Sequence, residues 1–260
     1  MTKTEIRIIR LVEMLQHRQR LDVNSVAGEL SISEATVRRL FAQAERERKV
    51  IRVHGGVQLS PQITHDYSYR VSAAHRSLQK TLIGNIAAGL VEDNDRLFLD
   101  SGTTVLKLAE ALSVRLQTGR LKNLTVLTNS FTHIETLASW CKVILIGGEV
   151  RVERRDVCGS LAEKIIQMFH VEKAFFGADA VSIDAGFTTT DERTSRMQEL
   201  IMQRAASSFI LVDSEKFDRI SFVGFAGLSE VDGVITDDEI SPVLRKKYSD
   251  AGARFWVGTP

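Results

Sequence analysis

The sequence predicts an α/β protein in two parts, a small helical N-terminal domain closed by a basic hairpin and a larger α/β domain behind it. Three observations carry that expectation. Apolar residues recur at helical spacing three times between residues 8 and 44. Six short apolar runs then alternate with amphipathic stretches between residues 97 and 236, as strands and helices of an α/β sheet do. The charge also changes sign between the parts. Residues 1–57 hold eleven Lys and Arg against seven Asp and Glu, a balance of +4, while the rest of the chain stands at −3.

In the first part, Ile8, Leu11, Val12 and Leu15 fall at i, i+3, i+4 and i+7; Val23, Val26, Ala27 and Leu30 repeat the spacing, as do Val37, Leu40, Phe41 and Ala44. Each set makes one apolar stripe on a helix. Asp22 and Ser33 precede the second and third stripes, where short polar side chains cap helix N-termini. The short connection around Ser31 is that of a helix-turn-helix. With the third stripe packed inward, Ser33, Glu34, Ala35, Thr36, Arg38 and Arg39 occupy the start or the outer face of its first turns. That is the part of a recognition helix that enters the major groove. Arginine can grip guanine edges or phosphate, and Thr36 can bond either or touch a thymine methyl. Val50–Val53 then reads as a strand turning at Gly55–Gly56, with Arg52 and His54 on one side as a basic wing. A plain helical bundle with solvated arginines would explain any one stripe, but not the caps, turn and hairpin together. The candidate DNA contacts are therefore Ser33, Glu34, Ala35, Thr36, Arg38, Arg39, Arg52, His54 and Gly55.

The expected domains are residues 1–57, a linker at 58–74 that shows neither a sustained strand nor a helix pattern, and residues 75–260. At 260 residues, 43% hydrophobic and 26% charged, the chain has the composition of a soluble globular protein. No run approaches the roughly 18 apolar residues of a membrane span, and the N-terminus lacks the apolar core of a signal peptide. The expectation is cytoplasmic residence without a membrane partner. Cys141 and Cys158 form no metal-like or redox-like pair, and none of the six histidines pairs at i, i+4, so neither a metal nor a cofactor is expected.

In the second part, Leu97–Leu99, Leu124–Leu127, Val143–Ile146, Lys173–Phe176, Ser208–Val212 and Gly233–Thr236 read as strands buried on both faces. Helical stretches near 75–91, 103–114, 130–139, 160–169 and 194–206 lie between several of them. Ligands of open α/β sheets gather beyond the carboxyl ends of the strands, which here carry Asp100-Ser-Gly-Thr-Thr104, Thr128-Asn-Ser130, Gly147-Gly148, Gly177-Ala-Asp179, Asp213-Ser-Glu-Lys216 and Thr236-Asp-Asp238. This inventory suits a phosphorylated sugar. Ser101, Gly102, Thr103 and Thr104 would open a helix whose free N–H groups and dipole favour phosphate. Asp100, Asn129 and Asp179 can bond hydroxyls, and Lys216 offers a positive charge. Neither a Walker loop nor a dinucleotide fingerprint is present. For any one of these turns a well-capped strand-to-helix connection is the simpler account; their convergence on one edge favours a site.

Residues 1–57 resemble the winged helix-turn-helix of the DeoR family of bacterial transcription regulators, and the remainder resembles that family's effector domain. The family's head motif runs Val-Ser-x-x-Thr-Ile-Arg-Arg-Asp-Leu and ends in Arg-x-His-Gly-Gly. Ser33, Thr36, Val37, Arg38, Arg39, Arg52, His54, Gly55 and Gly56 fill matching positions. Leu40-Phe41 replaces the usual Asp-Leu, and Glu47-Arg48-Lys49 lacks the usual glycine before the wing. The Asp-x-Gly-Thr-Thr, Thr-Asn-Ser, Gly-Gly and Asp-x-x-Lys-Phe blocks of the family appear at Asp100–Thr104, Thr128–Ser130, Gly147–Gly148 and Asp213–Phe217. The resemblance implies a domain related to ribose-5-phosphate isomerase and the CoA transferases that senses phosphorylated sugars, and it adds Arg76 and Lys80 to the candidate effector contacts. The full set is then Arg76, Lys80, Asp100, Ser101, Gly102, Thr103, Thr104, Thr128, Asn129, Ser130, Gly147, Gly148, Asp179 and Lys216.

That kinship supplies a rival, a sugar-phosphate isomerase with an appended DNA-binding head. Isomerisation needs a base to move a proton between adjacent carbons. Where the isomerases carry a Gly-Ala-Asp-Glu block, this chain reads Gly177-Ala-Asp-Ala180, and the later Lys-Gly-Gly-Gly block is absent. The sequence therefore predicts no enzyme. It predicts a homo-oligomeric repressor of a carbohydrate-metabolism operon that binds double-stranded operator DNA and answers to a phosphorylated sugar.

Overall fold

The computed structural model describes residues 3–18, 20–47, 49–53, 55–59 and 69–257. The chain divides into two compact units, Met1–Ala74 and His75–Pro260.

The first unit contains α1 (Lys3–His17), β1 (Leu21–Asp22), α2 (Val23–Leu30), α3 (Glu34–Arg46), β2 (Val50–Val53), β3 (Gly56–Leu59) and α4 (Tyr69–Ala74). The apolar stripes meet as expected: Ile8, Leu11, Leu15, Val26, Val37, Leu40, Phe41 and Ala44 form one core with Leu21, Val50 and Val57. Asp22 caps α2 by accepting from Ser25 N at 2.9 Å, and Ser33 caps α3 by accepting from Thr36 N. Between them Ser31 takes the left-handed conformation (φ 50°) that ends α2 and turns the chain. The strands form an antiparallel sheet in the order β1-β3-β2. Gly56 is needed where β3 meets β1, because a Cβ there would lie 2.1 Å from Leu21 O.

The linker expectation needs correction. Residues 58 and 59 complete β3, and Tyr69–Ala74 is helical, with Tyr69 and Val71 buried. Six residues carry too few turns to show helical periodicity in sequence. Residues 60–67 and Ser68 lie outside the described residues.

The second unit runs α5 (Ser77–Gly89), β4 (Arg96–Leu99), α6 (Thr103–Gln117), β5 (Thr125–Thr128), α7 (Phe131–Leu137), β6 (Lys142–Leu145), β7 (Glu149–Arg151), β8 (Asp156–Cys158), α8 (Ser160–Ile166), β9 (Val171–Gly177), β10 (Ala180–Ser182), β11 (Gly186–Thr189), α9 (Glu192–Met202), β12 (Ala205–Leu211), β13 (Val223–Ala226), β14 (Gly233–Thr236), α10 (Pro242–Asp250) and β15 (Phe255–Val257). Seven of these strands pair in parallel in the order β15-β14-β12-β9-β4-β5-β6. Alternation along each strand sorts side chains between two cores. Leu97, Leu99, Val126, Phe175, Phe209 and Leu211 face α5 and α6 through Ile83, Ala87, Leu108 and Leu112. Phe98, Leu127, Ala174, Phe176, Ile210 and Val234 face α8, α9 and α10 through Ile166, Met197, Ile201 and Tyr248.

The third expected strand is half exposed rather than buried on both faces: β6 is the sheet's edge, and Leu145 is 37% exposed. Beyond the six expected strands stand β15, the β7–β8 hairpin and the three-stranded sheet β10-β11-β13. Chain order reverses between β4 and β9: β5 and β6 add on one side of β4, whereas β9, β12, β14 and β15 add on the other. Such a switch point opens a crevice beyond the carboxyl ends of its two strands.

Candidate functional site

In the first unit, the outer side of α3 presents Ser33, Glu34, Ala35, Arg38 and Arg39 to solvent, with Thr36 half-buried. Glu34 pairs with Arg38 at 3.5 Å, a weak exposed contact one helical turn apart. Arg39 makes no hydrogen bond or ion pair among the described residues. Arg52 on β2 donates to Arg38 O at 3.2 Å and sits 3.3 Å from Glu45, so the hairpin is tied to α3 through its own basic residue. Gly55 (φ 77°) makes the exposed turn between β2 and β3. His54 lies outside the described residues.

In the second unit, Asp100, Ser101 and Gly102 follow β4, and Gly177, Ala178 and Asp179 follow or end β9. The two loops meet, since a Cβ on Gly102 would lie 3.5 Å from Gly177 Cα. Gly102 starts α6 with extended backbone and no side-chain cap, and no acidic residue occupies the first turn. The N-terminus of a fifteen-residue helix is therefore not capped by a side chain of its N-cap residue, an arrangement that favours an anion.

Asp100 is at this place but in a different role from the one expected. Its carboxylate accepts from Ser101 N at 2.9 Å, Gln198 Nε2 at 2.9 Å and Gly177 N at 3.4 Å. Burial pushes its pKa up, against the lowering effect of those three donors. Asp100 thus pins the β4 and β9 loops to α9, with its acceptors committed to protein groups. Gln198 completes the pin by donating also to Gly177 O at 3.0 Å, and nothing in the sequence had singled it out.

Arg76 is likewise corrected. Its guanidinium donates to Glu215 Oε1 (3.1 Å), Ser214 Oγ (3.0 Å), Asp237 Oδ1 (3.3 Å) and Glu239 Oε2 (2.7 Å), and lies 3.5 Å from Asp213. Surrounded by four carboxylates, it clamps the turns after β12 and β14 and is not available to an anionic ligand. Lys80, one turn along α5, is 4% exposed. Burial pushes its pKa down to about 8, opposed by Asp213 and Asp179 and helped by the neighbouring cations Lys216 and Arg76. Asp179 follows β9, Asp213 and Lys216 follow β12, and Lys80 stands one turn from Arg76, which bonds the turn after β12, so the four lie at one edge of the sheet. Lys216 is half-buried, and its ammonium makes no hydrogen bond or ion pair among the described residues. Asp179 Oδ2 is engaged by Thr189 Oγ1, Thr190 N and Thr190 Oγ1 at 2.9–3.1 Å.

The loop after β5 is mostly structural. Thr128 Oγ1 donates to Leu99 O at 2.7 Å and meets His133 Nδ1 at 3.0 Å, while Ser130 Oγ and Thr132 Oγ1 bond each other at 2.7 Å. These hydroxyls are spoken for, contrary to expectation. Asn129 donates from Nδ2 to Val157 O at 3.4 Å. Ser101 Oγ donates to Asp156 Oδ2 at 2.9 Å, and Asp156 is held by Arg151 at 2.6 and 2.8 Å. The β7–β8 hairpin thereby straps the loops after β4 and β5. Gly148 belongs to that strap: a Cβ there would meet Cys158 O at 2.5 Å, so it serves close packing and not ligand contact. Gly147 lies beside Ile165. Thr103 and Thr104 are buried at the start of α6.

Among the described residues no cluster of three His, Cys, Asp or Glu is placed to hold a metal ion, and no helix is long and apolar enough to cross a membrane. Where an isomerase would carry its glutamate, Ala180 begins β10 with a buried side chain.

The DeoR-like helix-turn-helix domain matches residues 7–62, and the DeoR C terminal sensor domain matches residues 75–238. The chain belongs to the DeoR family of transcription regulators. Among its relatives, the HTH-type transcriptional repressor GlcR of Bacillus subtilis is 30% identical over 90% of this chain and 88% of its own length. The lactose phosphotransferase system repressor of Lactococcus lactis is 30% identical over 94% of each. Ribose 5-phosphate isomerase A from Methanocaldococcus jannaschii aligns over 53% of each chain at 18% identity and a TM-score of 0.40. As a DeoR-family member, the chain is a DNA-binding regulator with a helix-turn-helix unit and a parallel-sheet sensor unit.

Proposed function

We propose that this regulator is a repressor of a carbohydrate-metabolism operon, and that a phosphorylated sugar bound beyond β4 and β9 sets its hold on DNA. The observation that carries the effector reading is the side-chain-uncapped N-terminus of α6, at the strand ends where the loops bearing Gly102 and Gly177 meet. Lys216, whose ammonium has no hydrogen bond or ion pair among the described residues, and buried Lys80 add positive charge at the same sheet edge. Phosphate suits that combination of backbone N–H groups and ammonium ions. Two relatives of similar length are named repressors, one of a lactose phosphotransferase system.

On the DNA side, Ser33, Glu34, Ala35, Thr36, Arg38 and Arg39 enter the major groove, with Gly55 at the tip of a wing whose Arg52 is held against α3. Two heads on paired half-sites need at least two copies of the chain. The effector acts by favouring one spacing of those heads over another, which requires different affinity for the two states. Binding without turnover is the expected chemistry, because Ala180 offers no proton-transfer group.

The test is thermal unfolding of the purified chain with D-fructose 1-phosphate, D-fructose 6-phosphate, D-glucose 6-phosphate and D-ribose 5-phosphate, since a ligand of the folded state raises stability by mass action. At least one should raise Tm saturably and be recovered unchanged. No shift with any of them, or steady aldose–ketose interconversion, would overturn the reading.

A further inference from the structure

Two buried side-chain oxygens at the strand ends have no hydrogen-bond partner among the described residues: Asn129 Oδ1 and Gln198 Oε1. Their residues are only 3% and 2% exposed, so bulk water does not satisfy them. The amide orientations follow from the neighbours. Gln198 Nε2 faces two acceptors, Asp100 Oδ2 at 2.9 Å and Gly177 O at 3.0 Å, and a flipped amide would set oxygen against both. Asn129 Nδ2 faces Val157 O at 3.4 Å, and the same reasoning applies. Each orphan oxygen therefore sits on a planar group already fixed at a strand end, Gln198 where β4 and β9 finish and Asn129 where β5 finishes.

A buried acceptor left unmade costs its desolvation, and native structures keep few of them. Two at the same sheet edge as an open helix N-terminus call for a ligand that brings donors as well as negative charge. Resting on the effector reading above, we infer that Gln198 and Asn129 read hydroxyl groups of the bound effector, each accepting one hydrogen bond. The occupant is then a phosphorylated polyhydroxy compound with at least two free hydroxyls away from its phosphate. Simple phosphoesters, and anions without hydroxyl donors, would leave both oxygens unpaired and bind no better than inorganic phosphate. Asp100 acts one step back, as the positioning residue that holds the Gln198 amide.

The experiment is calorimetric titration of the full chain with inorganic phosphate and with the four sugar phosphates above. In the wild type the best sugar phosphate should bind at least about tenfold tighter than inorganic phosphate, the gain of about one net hydrogen bond or more. Gln198→Met and Asn129→Ala should each lower sugar-phosphate affinity more than inorganic phosphate affinity, removing most of that preference. Asn129→Asp loses the bond to Val157 O yet keeps an acceptor oxygen, and should retain the preference, read as the ratio of the two affinities in the same variant; a merely structural role would lose it. It also decides the matter if Gln198→Met fails to fold. Full preference in Asn129→Ala, or equal loss in Asn129→Ala and Asn129→Asp, would overturn the assignment. Equal binding of sugar phosphate and inorganic phosphate in the wild type would also sink it while leaving the anion site standing. Failure of every phosphate compound to bind would instead refute the effector reading on which it rests.

Discussion

Replacing Arg76 by methionine tests whether the sensor unit depends on the charge cluster at its start. The side chain is 12% exposed and faces Asp213 and Asp237, whose side chains are 2% and 0% exposed, together with the more exposed Glu215 and Glu239. Exposed pairs contribute little, so the two glutamates are set aside. Removing the cation strands two buried carboxylates, and breaking a buried pair costs about 3–5 kcal/mol. Because Asp237 also accepts from Ser214 N and Ser214 Oγ at 2.8 Å, the lower end applies, about 3 kcal/mol. Arg76→Lys keeps the charge but loses the planar fork that reaches several partners, and should cost about half as much. Both tryptophans, Trp140 and Trp256, lie in the second unit, so urea unfolding followed by tryptophan fluorescence reports this unit alone. A loss below about 1 kcal/mol for Arg76→Met would mean that solvent screens the cluster, and the reasoning from burial would fail.

Two further outcomes follow from the same geometry. Arg38→Ala and Arg39→Ala should leave the helical far-UV circular dichroism unchanged, because both side chains are exposed on α3, while weakening operator binding by about 1–3 kcal/mol for a base contact or lowering the salt slope by about one for a phosphate contact; unchanged affinity in the double variant would remove α3 as the reader. His133 is fully buried with its pKa pushed down to about 3 by burial. Between that value and its ordinary 6.5 the unfolded chain binds the extra proton, so the stability this group confers is complete above pH 6.5 and is lost as pH falls toward 3. His133→Asn should flatten that part of the stability–pH curve, and an unchanged slope would show that protonation there is not coupled to unfolding.

The legible parts of the chain were those whose signals are local. Val37, Leu40, Phe41 and Ala44 announce α3 because one helix carries its whole stripe, and Ser33 caps it three residues from its partner. Leu97–Leu99 and Lys173–Phe176 announce strands because burial on both faces makes them continuously apolar. What the sequence concealed is held by distant partners. The resemblance offers Arg76 as an effector contact, yet the groups that occupy it lie 137 to 163 residues further along, from Asp213 (213 − 76) to Glu239 (239 − 76). Asp100 reads as a hydroxyl ligand until Gln198, 98 residues away, takes its carboxylate. The hydroxyls of Thr128 and Ser130 advertise polar chemistry, but Leu99 O on the neighbouring strand, His133 and Thr132 engage them. Among the described residues no carboxylate forms an ion pair with the Lys216 ammonium, and no acidic residue occupies the first turn of α6.

The central claim is that one chain reads DNA through α3 and is governed from the crevice beyond β4 and β9. It is tested most directly by fluorescence anisotropy with DNA from upstream of the chain's own gene, titrated at one salt concentration with and without the sugar phosphate that raises Tm. The account predicts sequence-specific binding that changes at least about tenfold on adding the effector, a coupling of roughly 1.4 kcal/mol, and Lys216→Ala should abolish the change while leaving effector-free binding intact. Specific binding that stays the same at saturating sugar phosphate would contradict it.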